Sequence, residues 1–413
     1  MGERARVSMS VPPAARRMGA ILALALLAHI ALGASRVGVT LAAIELGAPT
    51  FAIGVLLALY SFFPMLSAVL AGRWIDRDGT RVPMLLGFTL LALGIAAPAL
   101  ELQVRALYVS AVMVGMGFLL IHLPLQKLTG EAVDDPSDMA GRTRNFGWIA
   151  IVYSISGFTG PLVAGYTIEY GGFRTAFLIS AAIAALAGAM LYLFWRFPHQ
   201  ARQAPIEPEL KASAFALLEI PELRRLFIAV VMLSSAWDVH LFLVPIHGAK
   251  IGLSPSEIGQ VLAAFGAATF IVRVVLPLLV NRVSQWRIIN SALWIAVAVF
   301  FAYPLMRYAG AMMALSFVLG LGLGGGQPMV MSLLHQHSPE GRIGEATGVR
   351  QTLIAMTQTA LPVAFGSVGS FLGLLLGGPL TFAPLFWGFA GLIGWGAWSG
   401  RKEQKEIGGE SER

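Results

Sequence analysis

The sequence predicts an all-α membrane protein of twelve transmembrane helices arranged as two pseudo-symmetric six-helix bundles. Three observations carry this. Of the 413 residues, 57% are hydrophobic and only 12% charged, where a soluble domain has about 25% charged residues. The apolar residues gather into twelve runs of near the ~20 residues that span hydrocarbon as a helix. The long polar interruption, 197–225, falls between the sixth and seventh runs and holds Pro198, Pro205, Pro208 and Pro221.

The runs lie near 18–44, 51–71, 82–100, 106–126, 147–168, 175–195, 226–247, 256–280, 288–306, 309–334, 351–376 and 378–399. An even count puts both termini on one side. With the amino terminus inside, 23 of the 29 Lys and Arg residues fall on inward segments and 4 on outward loops, leaving Arg36 and Arg273 inside apolar runs. Basic residues accumulate on the cytoplasmic side, so both termini are expected in the cytoplasm and the chain in a bacterial inner membrane. The expected division is a cytoplasmic segment 1–17, a first bundle 18–196, a linker 197–225, a second bundle 226–399 and a cytoplasmic tail 400–413. The stretch 209–219 fits an amphipathic surface helix. Residues 1–17 are polar and basic and no cleavable signal peptide is expected. A shift of 205 maps Asp76-Arg77 onto Asn281-Arg282, and Gly115 and Gly117 onto Gly320 and Gly322, a weak internal echo of the kind repeat-built bundles carry.

Composition also excludes. There are no cysteines, hence no disulfide framework or thiolate metal site. The net charge of +7 sits in short loops, which suits membrane orientation better than nucleic-acid binding. His335 and His337 lack a third ligand in reach, and zinc wants three or four. There is no H-E-x-x-H, G-x-x-x-x-G-K-S/T or G-x-S-x-G. No catalysis, metal or organic cofactor is expected, and no ATP-driven pumping.

Between the second and third runs lies Gly72-Arg73-Trp74-Ile75-Asp76-Arg77-Asp78-Gly79-Thr80-Arg81, read as a tight charged loop. Gly79 suits positive φ, and Asp76 has three arginines to pair with. Gly72, Asp76, Arg77, Gly79 and Arg81 resemble the G-x-x-x-D-R-x-G-R-R/K signature of the major facilitator superfamily of secondary transporters, with Thr80 where that family usually has a base. The resemblance implies two bundles around a central cavity, alternating access, and a latch at these five residues. In the fifth run, Gly160, Pro161 and Gly165 resemble the G-x-x-x-G-P-x-x-G-G pattern of superfamily exporters, with Ser156 and Ala164 replacing glycines. Physically this is a helix face of minimal side chains with a proline-weakened backbone, suited to close packing and bending.

Arg36 and Arg273 each lie about 13 Å inside a run, at 1.5 Å per residue. A charge at that depth costs roughly 2.5–3.5 kcal/mol on insertion scales, so each should face a cavity or a partner. Both are candidate anchors for an anionic substrate, and some organic-anion carriers of the superfamily resemble this chain in having a base in helix 1 and an arginine in helix 8. Asp238, twelve residues into the seventh run, is a candidate proton carrier or counter-charge to either arginine, and His240 a second proton-coupling candidate. His122 is a further titratable candidate. Gln327 and Tyr60 are candidate cavity residues, with Gln126 and Asn290 behind them. Two readings share the fold: a proton-coupled carrier of a small organic anion, and a proton-driven exporter of amphipathic drugs. A non-transporting membrane sensor is the remote third. The expected partners are a small-molecule substrate and membrane lipid, with the chain a monomer and the proton gradient its energy source.

Overall fold

The computed structural model describes residues 13–135, 138–194, 217–279, 283–339, 342–376 and 380–410. Most of the linker, its 209–216 stretch, Asn281 and Arg282 lie outside these. The helices are α1 (Pro13–Glu45), α2 (Thr50–Asp78), α3 (Arg81–Leu100), α4 (Val104–Glu131), α5 (Met139–Phe194), α6 (Pro221–Lys250), α7 (Pro255–Leu279), α8 (Gln285–Ala302), α9 (Ala309–His337), α10 (Ile343–Leu375) and α11 (Ala383–Glu410). No strand occurs among the described residues.

Ten of these helices, α1 to α10, are long and apolar enough to cross a membrane. α5 holds 56 residues and breaks at Gly172, whose φ of 76° is non-helical. A continuous helix of that length would run roughly 84 Å, far beyond a ~30 Å hydrocarbon core. Its two arms, 139–171 and 173–194, correspond to the fifth and sixth apolar runs, and α11 begins within the twelfth.

The helices are apolar on all sides, so packing against lipid and against each other looks alike along the sequence. Small residues set the contacts instead. In the first half α1 packs on α5, and α3 on α4 and α5; in the second α9 packs on α7 and α8, and α8 on α11. The 205-residue echo reappears as geometry. A Cβ on Gly115 would meet Tyr60 O of α2 at 2.6 Å, and one on Gly320 would meet Phe265 O of α7 at 2.4 Å. Gly117 packs on α3 and Gly322 on α8 in the same relation. Gly47 and Gly252, also 205 apart, both end helices with positive φ, 69° and 86°.

The halves meet along α5·α7, α2·α10 and α1·α6. Gly54 on α2 lies against Pro362 and Gly366 of α10; Gly259 on α7 lies against Pro161 and Gly165 of α5. Gly54 and Gly259 are again 205 apart, and each faces a Pro-x-x-x-Gly step. Side chains as small as a methyl would collide here: a Cβ on Gly54 falls 2.1 Å from Pro362 O, and one on Gly259 falls 2.6 Å from Pro161 O. These contacts lie where α2 and α7 begin and where α10 and the first arm of α5 end. They close the bundle at the face opposite the one where α1 begins.

The charged stretch 72–81 is mostly not a loop. α2 runs through Asp78, so Gly72, Asp76 and Arg77 are helical, and only Gly79 and Thr80 separate α2 from α3. Gly79 takes φ 85°, and its N–H donates to Ile75 O at 3.0 Å, a glycine helix stop. The helix continues because charged side chains at its end can reach polar surroundings without unwinding the backbone.

Candidate functional site

A cavity of about 200 Å³ lies between the halves, walled by α1, α2, α5, α6 and α7. Both intramembrane arginines line it, Arg36 from α1 and Arg273 from α7. No Asp, Glu or Lys lines it among the described residues, so its charge is positive. Below the ~300–1,000 Å³ of drug-sized pockets, it suits a small solute.

Arg36 holds its guanidinium 5.8 Å from the centre of the Tyr60 ring, a cation–π distance. Its guanidinium donates no hydrogen bond to a protein atom among the described residues, and it makes no direct ion pair there. Asp238 on α6 lies within Coulombic reach of it. Asp238 is 7% exposed, and its Oδ2 has no hydrogen-bond partner among the described residues. A buried carboxylate oxygen without a partner is costly when charged, and Arg36 is a positive group near enough to offset part of that cost.

Arg273 is anchored across the halves. Its Nη1 donates to Ala150 O at 2.9 Å and Ser154 Oγ at 2.7 Å, both on α5. Its Nε and Nη2 make no protein hydrogen bond among the described residues.

Several sequence candidates fall elsewhere. Tyr60 is buried behind Arg36, its hydroxyl 2.9 Å from Ser35 Oγ, and is not in the cavity wall. Gln327 does not line the cavity either; its Oε1 accepts from Arg350 Nη2. Arg350, one residue before the eleventh apolar run, reaches into the bundle because α10 starts at Ile343, a full two turns earlier. His240 is fully buried in the second half, its Nδ1 3.2 Å from Tyr303 OH, which in turn lies 2.6 Å from Ser316 Oγ. Two residues past Asp238 on a helix, it points to a different side. Gln126 and Asn290 are outside the wall; Gln126 Nε2 donates to His122 Nε2 at 2.6 Å.

The latch residues sit where α2 ends and α3 begins, on the termini side. Asp76 pairs with Lys127 of α4 at 2.7 Å and Arg77 with Asp78 at 2.8 Å. The expected Asp76–arginine pairing is therefore replaced by a lysine of the same half, which α4 brings alongside. Gly160 packs on Ile30 and Ala34 of α1, while Pro161 and Gly165 form the seam with α7.

Four ring-bearing wall residues escaped the sequence reading. His29 and Tyr153 stand at a centroid distance of 4.1 Å, and Trp237 and Phe265 at 4.5 Å. His29 had a legible signal: it precedes Arg36 by seven residues, two helical turns, and so shares its face.

This is the build of a membrane carrier, with two related halves around a central site closed at one face. The chain matches the Major Facilitator Superfamily over residues 21–362 and belongs to that family of transporters. It is 23% identical to Multidrug resistance protein 2 of Bacillus subtilis (strain 168), covering 86% of this chain and 87% of that one. It is 23% identical to the class D tetracycline resistance protein of Salmonella ordonez, over 77% and 79%. Among solved structures, the peptide transporter POT in complex with sulfate superposes with a TM-score of 0.76 at 15% identity, covering 95% of each chain. A bacterial homologue of the human lysosomal transporter Spinster gives 0.70 at 16% identity, covering 95% of this chain and 94% of that one. Family and fold point to transport rather than catalysis.

Proposed function

We propose that this transporter is a proton-coupled secondary carrier of a small organic anion, working by alternating access in a plasma membrane with both termini in the cytoplasm. The observation that supports it is the cavity's charge: Arg36 and Arg273 line it from opposite halves, and no acidic side chain does so among the described residues. An anion held between them ties substrate occupancy to the relative position of the halves. Arg36 is the anchor, since its donors have no protein partner among the described residues, and Asp238 is the counter-charge it leaves when substrate arrives. That exchange makes Asp238 the proton carrier: with Arg36 engaged elsewhere, a buried carboxylate is stable only when neutral. The conformation described, sealed at the face opposite the termini, is the one that loads or releases on the cytoplasmic side.

The test is transport in proteoliposomes under an imposed pH gradient with a panel of carboxylates. Carboxylate movement that Arg36→Ala and Arg273→Ala abolish, and a pH dependence that Asp238→Asn removes, is the expected result. Transport indifferent to both arginine substitutions defeats the reading.

A second reading is proton-driven drug export. The multidrug and tetracycline resistance relatives over 77–86% of the chain favour it, as does the Gly160-Pro161/Gly165 seam. Movement of lipophilic cations without carboxylates decides for it.

A further inference from the structure

We propose that the cavity selects a planar aromatic monocarboxylate, its carboxylate on Arg36 and its ring between the His29–Tyr153 and Trp237–Phe265 pairs. This rests on the organic-anion reading above and narrows it.

The polar demand of the wall is confined to a few groups. Thr40 donates to Arg36 O, Thr269 to Gly266 O, Ser154 to Ala150 O and Ser156 to Val152 O. His29 Nδ1 bonds Ala25 O. These groups are satisfied within their own helices. The Arg36 guanidinium has no such partner, Arg273 keeps one nitrogen on α5, and the Tyr153 hydroxyl is buried without a partner among the described residues. A ligand complementary to this wall carries its polar atoms where Arg36, the remaining Arg273 nitrogens and the Tyr153 hydroxyl can meet them and is apolar elsewhere, because a polar group set against the satisfied part of the wall would lose water without gaining a partner.

The body of the ligand is set by the rings. His29 and Tyr153 come from the first half, with ring planes tilted by 32°; Trp237 and Phe265 come from the second, edge to face at 81°. Their cavity holds about 200 Å³, room for one ring rather than a fused drug scaffold. Aromatic faces and edges favour another aromatic ring over a saturated one of equal size through their quadrupoles. A flat ring also enters between two walls without the puckered hydrogens of a cyclohexane. Because each pair belongs to a different half, a ring between them couples occupancy to the approach of the halves.

The test uses the full chain in proteoliposomes, with labelled benzoate counterflow competed by benzoate, cyclohexanecarboxylate and butyrate. Benzoate should compete about tenfold better than cyclohexanecarboxylate, and butyrate least. Tyr153→Leu with Trp237→Leu should bring that ratio close to one, and a Tm near the parent's reports that the fold is intact. Trp237→Phe should keep the ratio. Equal competition by the two ring acids in the native protein overturns the aromatic assignment and leaves the anion reading standing. Absence of movement by any carboxylate overturns the anion reading, and this one with it.

Discussion

Glu169 on the first arm of α5 accepts the backbone N–H of Ser256, at the start of α7, at 2.9 Å. The bond crosses from one half to the other at the sealed face. One turn away, Gln260 Nε2 donates to Tyr166 OH at 2.9 Å. A carboxylate at a helix start also meets the positive end of the helix dipole. Glu169→Ala should therefore loosen the seal. The chain has no cysteine, so Thr40→Cys in the cavity wall reports alone. Its labelling by an impermeant maleimide from the sealed face should rise several-fold in the Glu169→Ala background. Unchanged labelling would show that the polar bridge is incidental.

The glycine seam makes a steeper prediction. A methyl at Gly54 would lie 2.1 Å from a backbone oxygen, which cannot swing aside as a side chain can. Gly54→Ala should destabilise this conformation by about 1–3 kcal/mol, as overpacking does. A methyl at Gly72 would meet nothing within 4 Å among the described residues, and Gly72 sits inside α2, where alanine is favoured over glycine by roughly 0.5–1 kcal/mol. Gly72→Ala should raise the Tm and Gly54→Ala lower it. A Gly54→Ala protein as stable as the parent would mean that the halves do not touch there.

The two cavity arginines should separate on stability. Arg273→Ala loses two hydrogen bonds from a charged group to α5, each worth about 1.5–3 kcal/mol. Arg36→Ala loses no side-chain hydrogen bond to the described residues. We expect Arg273→Ala to lower the Tm and weaken transport together. Arg36→Ala should weaken carboxylate binding at least ~10-fold with the Tm nearly unchanged. Arg36→Lys should recover little, since an ammonium lacks the planar fork that grips a carboxylate. A Tm loss in Arg36→Ala as large as in Arg273→Ala would place Arg36 in the scaffold.

The Asp76–Lys127 pair is 72% exposed on the acid side. Pairs in that setting are worth about 0–1 kcal/mol, so Asp76→Asn should barely move the Tm. A fall in transport without one is expected if the acid acts in the other conformation. Calorimetry and initial rates on the same preparation separate the two.

His240 gives the opposite pattern. Held to Tyr303 in a buried chain that ends on Ser316, it should cost about 1–3 kcal/mol when replaced by alanine, because a buried hydrogen bond is lost and the ring leaves a void. The pH profile of transport in His240→Gln should match the parent. A shifted profile would return His240 to the coupling machinery.

Span positions and the turning of Arg36 and Arg273 to a cavity were legible because hydropathy and isolated charge are one-dimensional signals. Which face of a span meets the cavity was not. Tyr153, Trp237 and Phe265 look like any aromatic in a helix apolar on every side, and only a polar neighbour at helical spacing, as His29 has in Arg36, marks the wall. Gln327 was misplaced because its partner, Arg350, belongs to a helix whose start the charge pattern set too late. The ten-residue signature was found, but its helical state was not, since dense charge reads as a loop until Gly79 supplies the stop. The repeat was visible only as scattered glycines; their equivalent contacts on α2, α3, α7 and α8 needed coordinates.

The paired Gly54 and Gly259 crossings have a mechanical consequence. A joint made of bare main chain has no rotamers to scramble and sheds no bound water from charged groups when it parts. Its two pseudo-equivalent pivots resist sliding and twisting together, leaving rotation about a line through both as the soft movement. Each stroke of the carrier should then bring the same atoms back into register.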